Sequence, residues 1–193
     1  MKAAVIVEPE VPENTGFIAR LAANFEFELR IVNPEFNLEE SKKTASRAQQ
    51  KLREAKIFET ADQAVEDLEF VVGTKPGRGV KLNSFEAREN TSVMIGRESS
   101  GLKNSELDLC DAVVHIETGD YESINQSHAA SIIMHHFYNG SKDKGIETKQ
   151  KDFLDDFFQI PILRKLLMRS NPTQDEVNRL IGQIKKKEDF DTL

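Results

Sequence analysis

Val93-Met94-Ile95-Gly96-Arg97-Glu98-Ser99-Ser100-Gly101-Leu102-Lys103 is the stretch that decides the fold. A short apolar run stops at a glycine, and a polar turn bounded by a second glycine follows. The run is too short for a helix and lacks the alternation of a half-buried strand, so it reads as a strand covered on both faces. Residues 3–7, 29–32, 70–72 and 112–116 repeat the theme, and residues 70–72 also run into a glycine, Gly73. Between these runs lie segments of helical period: residues 16–27, 39–58 and 60–68, the last opened by Thr60 and Gln63 as a capping box. Apolar strands alternating with helices predict an α/β fold, a mostly parallel sheet with helices on both faces. Ligands bind such sheets beyond the carboxyl ends of the strands. Chemistry is therefore sought in residues 9–16, 73–79, 96–101 and 117–125.

The 193 residues suffice for one domain of ~150 residues and a remainder. Residues 1–140 read as that domain. Residues 141–149 are polar and rich in breakers, as in a linker, and residues 150–193 read as a helical extension. Its two amphipathic helices, residues 150–170 and 173–187, cannot close a core alone and must pack on the domain or on a second subunit. With 31% charged and 38% hydrophobic residues, the composition is that of a soluble globular protein. The single cysteine, Cys110, excludes an internal disulfide and a cysteine-based zinc cluster. The first residues are apolar only briefly and then acidic, unlike a signal peptide, and no stretch approaches the ~20 apolar residues of a membrane span. A cytoplasmic location is the simplest expectation.

Net charge is −7, which by itself argues against nucleic acid. The average hides two basic islands. Residues 42–56 hold Lys42, Lys43, Arg47, Lys51, Arg53 and Lys56 against one acid, Glu54. Residues 71–85 hold Lys75, Arg78 and Lys81 and no acid. Either island alone reads as a solvated face.

The turn after Ile95 resembles a phosphate-binding P-loop with the wrong ending. Its lysine, Lys103, comes one residue late, which on a helix rotates it by about 100°, and no Ser or Thr follows. The turn is not Gly-x-Ser-x-Gly either, so a serine-hydrolase elbow fails. After the first strand stands Glu8-Pro9-Glu10-Val11-Pro12 in place of Gly-x-Gly-x-x-Gly, and a prolyl turn offers no row of backbone N–H groups to a pyrophosphate. In residues 12–20, Asn14 reads as the N-cap of the next helix. Arg20, one turn in if that helix starts at Gly16, opposes the helix dipole and suits a phosphate or a deprotonating hydroxyl instead. Ser123 or Asn125 reads as the cap of an apolar helix over residues 129–137. His128, His135 and His136 are not spaced as metal ligands with a carboxylate, so no metal is expected.

Together the loops are more specific than any one alone. Asn14-x-Gly16-x-x-x-Arg20, then Ile95-Gly96-Arg97-Glu98-x-x-Gly101-Leu102, then Ile116 followed by Ser123-Ile124-Asn125-x-Ser127 resembles the three-motif signature of the SpoU (TrmH-like) branch of the SPOUT RNA 2'-O-methyltransferases. The resemblance covers roughly residues 1–140. Residues 162–169 and 176–182 are similar to the C-terminal helices of the TrmJ-type tRNA methyltransferases. Departures are Phe25-Glu26 where the family often has Phe-Gly, Ile124 where it has leucine, Pro76 in the third strand-end loop, and the acidic total.

The resemblance implies a SPOUT fold with a C-terminal trefoil knot, a homodimer, and S-adenosyl-L-methionine as methyl donor. It implies that Thr74, Gly96, Glu98, Ile116, Ile124 and Asn125 build the adenosine pocket, with Asn14 and Arg20 near the subunit interface. It implies 2'-O-methylation of a ribose in tRNA, with cytidine or uridine at position 32 of the anticodon loop as the suggested target. Family proposals make Arg20 the proton acceptor. A guanidinium with a pKa above ~12 is more easily a stabiliser of phosphate or alkoxide. Glu98, Ser123 and Asn125 would orient it and the ribose. Phosphate contacts would then fall to Lys42, Lys43, Arg47, Lys75, Arg78 and Lys81. The competing expectations are ribosomal RNA as substrate and a catalytically silent RNA-binding or assembly protein of the same fold.

Overall fold

The computed structural model describes residues 1–138 and 176–183. Seven strands form one sheet: β1 (Ala3–Val7), β2 (Glu28–Val32), β3 (Lys56–Phe58), β4 (Phe70–Thr74), β5 (Val80–Lys81), β6 (Thr91–Ile95) and β7 (Ala112–His115). Their spatial order is β3-β2-β1-β6-β4-β7-β5 and every named pairing is parallel. Helices cover both faces, as expected. Along β1, Ala3, Val5 and Val7 face a core cluster with Ala64 of α4 (Ala61–Val65) and Leu107 of α5 (Asn104–Asp108). Ala4 and Ile6, equally buried, point to the opposite face. There α6 (Gln126–Tyr138) lies against β6 and packs on α1 (Pro12–Asn24).

Five of the seven strands fall where the apolar runs predict them. The two missed strands are short and marginal: β3 has three residues at one sheet edge, with Lys56 and Ile57 exposed, and β5 has two at the other. The helix expected over residues 39–58 is broken. A 3-10 turn at Leu38–Ser41 leads into α2 (Lys42–Ala45), a second such turn at Ser46–Ala48, and α3 (Gln49–Arg53). The break falls at Ser46, whose φ of 52° no α-helix tolerates. The first helix begins at Pro12, not Gly16, because proline suits the first helical position. Inside it, Gly16 permits a close approach: a Cβ there would lie 2.0 Å from Thr44 Oγ1 and 2.3 Å from the Ser41 carbonyl.

Of the buried charged side chains among the described residues, Arg30 is the most enclosed. Arg30 of β2 is 1% exposed, donates to the Ala64 carbonyl at 2.9 Å and pairs with Asp67 and Glu28. Burial of a cation is tolerable only with such partners.

The chain divides into two compact units, Met1–Ser141 and Lys142–Leu193. In the second, residues 176–183 are helical. The expected linker at 141–149, the helix at 150–170 and the rest of the helix at 173–187 lie outside the described residues.

Candidate functional site

Parallel strands emit their carboxyl-end turns on one side of the sheet, and here β4, β6 and β7 are neighbours. Their turns surround a cavity of about 460 Å³. Thr74 and Lys75 line it from the end of β4, Gly96, Glu98 and Gly101 from the end of β6, and Ile116, Ser123, Ile124 and Gln126 from the segment joining β7 to α6. Ile95, Val114 and Ile133 add apolar wall. The turn after β6 folds back on itself through an Arg97–Gly101 bridge. A Cβ on Gly96 would stand 2.2 Å from the Gly101 carbonyl carbon, so only glycine fits.

Arg97 holds this turn from behind. It is 7% exposed and donates to Glu106 through Nη1 at 3.0 Å and Nη2 at 2.7 Å, to Glu8 through Nε at 2.6 Å, and to the Gly101 carbonyl at 3.2 Å. The hydrogen bonds it donates to Glu106 outweigh burial and raise the guanidinium pKa. Burial pushes the Glu106 carboxyl up, but Arg97 and the Lys103 amide bring it net below its ordinary value.

Glu98 faces the other way, toward the loop after β1. Its Oε1 accepts from Asn14 Nδ2 at 3.0 Å and its Oε2 from the Glu10 amide at 2.9 Å. Asn14 Oδ1 accepts in turn from Asn125 Nδ2 at 3.1 Å. Asn125 uses its other end as a cap: Oδ1 accepts from Ser127 N at 2.9 Å, Ser127 Oγ at 2.7 Å and His128 N at 3.3 Å. Glu98, Asn14 and Asn125 thus form one chain of hydrogen bonds joining the turn after β6, the first turn of α1 and the segment before α6.

Asn14 is not the cap of α1. That place belongs to Val11, which makes no side-chain cap bond, so the Asn14 amide is left for Glu98 and Asn125. Arg20 is not in a first turn either; eight residues past Pro12, it gains or loses little from the N-terminal dipole. It is exposed and has no polar partner among the described residues, so neither Glu98, Ser123 nor Asn125 orients it within this chain. Thr74 donates to the Met94 carbonyl at 3.2 Å.

Each cation of the second basic island has a partner within the chain, although Arg78 and Lys81 remain exposed. Lys75 Nζ donates to the Leu102 carbonyl at 2.7 Å, Arg78 Nη1 to Asn104 Oδ1 at 2.8 Å, and Lys81 pairs with Glu117 at 2.6 Å. In the first island Lys42 pairs with Glu39, while Lys43 and Arg47 are exposed. His128 is exposed, His135 packs edge-on against Phe25, and a His136 ring nitrogen meets the Phe85 carbonyl at 2.6 Å. No three metal-ligating side chains converge among the described residues.

Two contributors escape sequence reasoning. Gln126 is 6% exposed, donates to the Gly96 carbonyl at 2.8 Å, and its Oε1 has no partner among the described residues. Glu10 accepts from Ser99 N at 2.9 Å and Ser99 Oγ at 2.6 Å. Gln126 is a polar residue at the start of an apolar helix, the only hint available; for Glu10 there is none.

A sequence model of the SpoU rRNA methylase family matches residues 2–135. The chain belongs to that family. The tRNA (cytidine-2'-O-)-methyltransferase TrmJ of Methanocaldococcus jannaschii is 36% identical over 155 residues, 72% of this chain and 67% of that protein. Among solved SpoU-type structures, TrmJ from Z. mobilis superposes with a TM-score of 0.63 at 22% identity, over 97% of this chain and 99% of that one. The SpoU methyltransferase AviRb from Streptomyces viridochromogenes, in complex with the cofactor AdoMet, superposes with a TM-score of 0.61 at 22% identity, over 72% of this chain and 58% of that one. The SpoU fold is therefore shared, and the Gly96–Gly101 turn lies within the matched residues.

Proposed function

We propose that this chain transfers a methyl group from S-adenosylmethionine to a ribose 2'-hydroxyl of tRNA. The observation that carries the proposal is that the turns of the second and third motifs meet at one cavity, with the first motif tied to both through the Glu98–Asn14–Asn125 bonds, in a relative of a tRNA 2'-O-methyltransferase.

The cavity fits an adenosine. Its wall is largely apolar, Gly96 leaves backbone rather than side chain beside it, and the Gln126 acceptor without a partner lies in its lining. Thr74, Gly96, Ile116, Ile124 and the peptide groups around Glu98 and Asn125 are the residues to hold the donor. When bound, the donor supplies a sulfonium methyl open to attack by an oxygen.

The chain's own part is positioning and charge. Glu98 holds Asn14, and Asn14 holds Asn125 at the mouth of the site, with Ser123 beside it. Arg20 is exposed and has no polar partner among the described residues, which suits it to meet the phosphate or the developing alkoxide of a ribose. Arg20 lies three residues after the exposed Phe17 on α1, hence on the same helix face. Ile132 and Tyr138 are also exposed on α6, which packs on α1. A homodimer covering that surface would set Arg20 at the subunit interface. Lys42, Lys43, Arg47, Lys75, Arg78 and Lys81 are the proposed phosphate contacts.

Residues 75–90 carry the chain past β7 to the sheet edge and back to β6. That path supports a trefoil knot, with residues 1–140 as the catalytic domain, a linker at 141–149 and a helical extension at 150–193. A cytoplasmic site of action follows from the substrate. The nucleotide proposed is cytidine or uridine 32. The family description favours a second substrate, rRNA. Nucleoside mass spectrometry after incubation with S-adenosylmethionine and either RNA tests both. Ribose-methylated pyrimidine from tRNA supports the proposal; methylation of rRNA alone, or of a base, overturns it.

A further inference from the structure

The loop after β1 and the turn after β6 exchange carboxylates. Ser99 donates its amide and its hydroxyl to the two oxygens of Glu10, at 2.9 and 2.6 Å. The Glu10 amide donates to Glu98 Oε2 at 2.9 Å. Each loop thus supplies the acid to which the other loop's backbone donates. Glu98 and Ser99 both line the cavity, and Glu98 begins the bond chain to Asn14 and Asn125. Glu10 touches neither the cavity nor that chain with its side chain; it acts through Ser99.

From this geometry we infer that Glu10 is a positioning residue for methyl-donor binding. It clasps residues 98–99 so that Glu98 stays aimed at Asn14 and the cavity keeps its mouth. Apart from the Asn14 bond to the Glu98 carboxylate, the other side-chain bonds to the turn come from behind it, through Arg97 and Gln126, and constrain residues 96, 97 and 101; none of them reaches residues 99–100. Ser99 and Ser100 are exposed, so packing does not hold them. Two charge-assisted bonds to one carboxylate are then the main restraint on this rim. The Ser99 bonds hold the Glu10 carboxyl below its ordinary pKa, so the clasp stays charged at neutral pH.

The inference rests on the proposed methyltransferase function, and calorimetry with S-adenosylhomocysteine separates the two. Wild-type protein is compared with Glu10→Ala, Glu10→Gln, Ser99→Ala and the double alanine variant. Glutamine keeps an acceptor for the Ser99 amide and a donor for its hydroxyl, so it should bind within about twofold of wild type. Glu10→Ala should weaken binding roughly five- to tenfold, as expected from losing a charge-assisted pair. The double variant should be no weaker than Glu10→Ala, because both changes remove one interaction. Steady-state kinetics should show the KM for S-adenosylmethionine rising while the KM for tRNA and the thermal midpoint hold. Wild-type binding with an unchanged Glu10→Ala constant overturns the clasp alone, as does a common fall in midpoint and rise in both KM values. No binding by the wild type overturns the proposed function and the clasp with it.

Discussion

At the scale of single residues, the decisive feature is that Arg20 has no polar partner among the described residues while its neighbours in the motifs have several. Asn14, Glu98 and Asn125 satisfy one another, so their side chains are fixed before any ligand arrives. Arg20 stands exposed on α1, with no ion pair among the described residues. Arg20→Ala should therefore lower kcat for methyl transfer by at least 100-fold, the scale of losing one preorganised stabilising group. Its dissociation constant for S-adenosylhomocysteine should stay within about threefold of wild type. Equal loss of catalysis and donor binding would place Arg20 in the wrong role. The residues of the site were legible where chemistry is written in residue type. The bond Asn14 makes was not, because capping and ligand positioning call for the same amide; only the start of α1 at Pro12 decides between them.

At the scale of elements, buried strands were easy to read and edges were not. β1, β2, β4, β6 and β7 are covered by helices or flanked by other strands, so their apolar runs are continuous. β3 and β5 are edge strands with exposed residues, and nothing in their composition separates them from loop. The region of residues 38–53 kept helical period across a break made by one backbone angle at Ser46. Close packing of α2 on α1 also left only a faint trace in the sequence, the single glycine at position 16. A methyl group there would collide with Thr44 and the Ser41 carbonyl. Gly16→Ala should cost about 2 kcal/mol or more by overpacking, read as a lower midpoint in urea with an unchanged slope. A midpoint equal to wild type would mean that α1 and α2 are not held at this distance.

At the scale of the whole molecule, an acidic protein is proposed to hold an acidic polymer. The acids are not spread evenly around the site: Glu8 and Glu106 are taken up by Arg97, Glu28 by Arg30 and Lys56, and Glu117 by Lys81. These pairs take up cations as well as acids, Lys56 of the basic island at residues 42–56 among them, while Lys43, Arg47 and Arg53 of that island are exposed. The same pairing sets the acid limit of stability. Burial raises the Glu106 and Glu28 carboxyls, but their cationic partners bring each net below its ordinary 4.5. The Arg30 bond likewise holds Asp67 below 3.8. A depressed folded pKa contributes stability that is present above the unfolded value and lost as pH falls through the folded one. Thermal stability should hold at neutral pH and fall once the pH drops below about 4.5. Glu106→Gln should lower stability at pH 7 and flatten the acid decline; an unchanged decline would assign the acid limit to other groups. The order β3-β2-β1-β6-β4-β7-β5 was not legible at all, since it follows from which apolar faces find each other and not from any local signal.

The most direct test of the account is a crystal structure of the protein soaked with S-adenosylhomocysteine. The account predicts the adenosine between Thr74, Gly96, Ile116 and Ile124, with Glu98 still bonded to Asn14. An adenosine bound outside that cavity, or the three turns found apart, would contradict it.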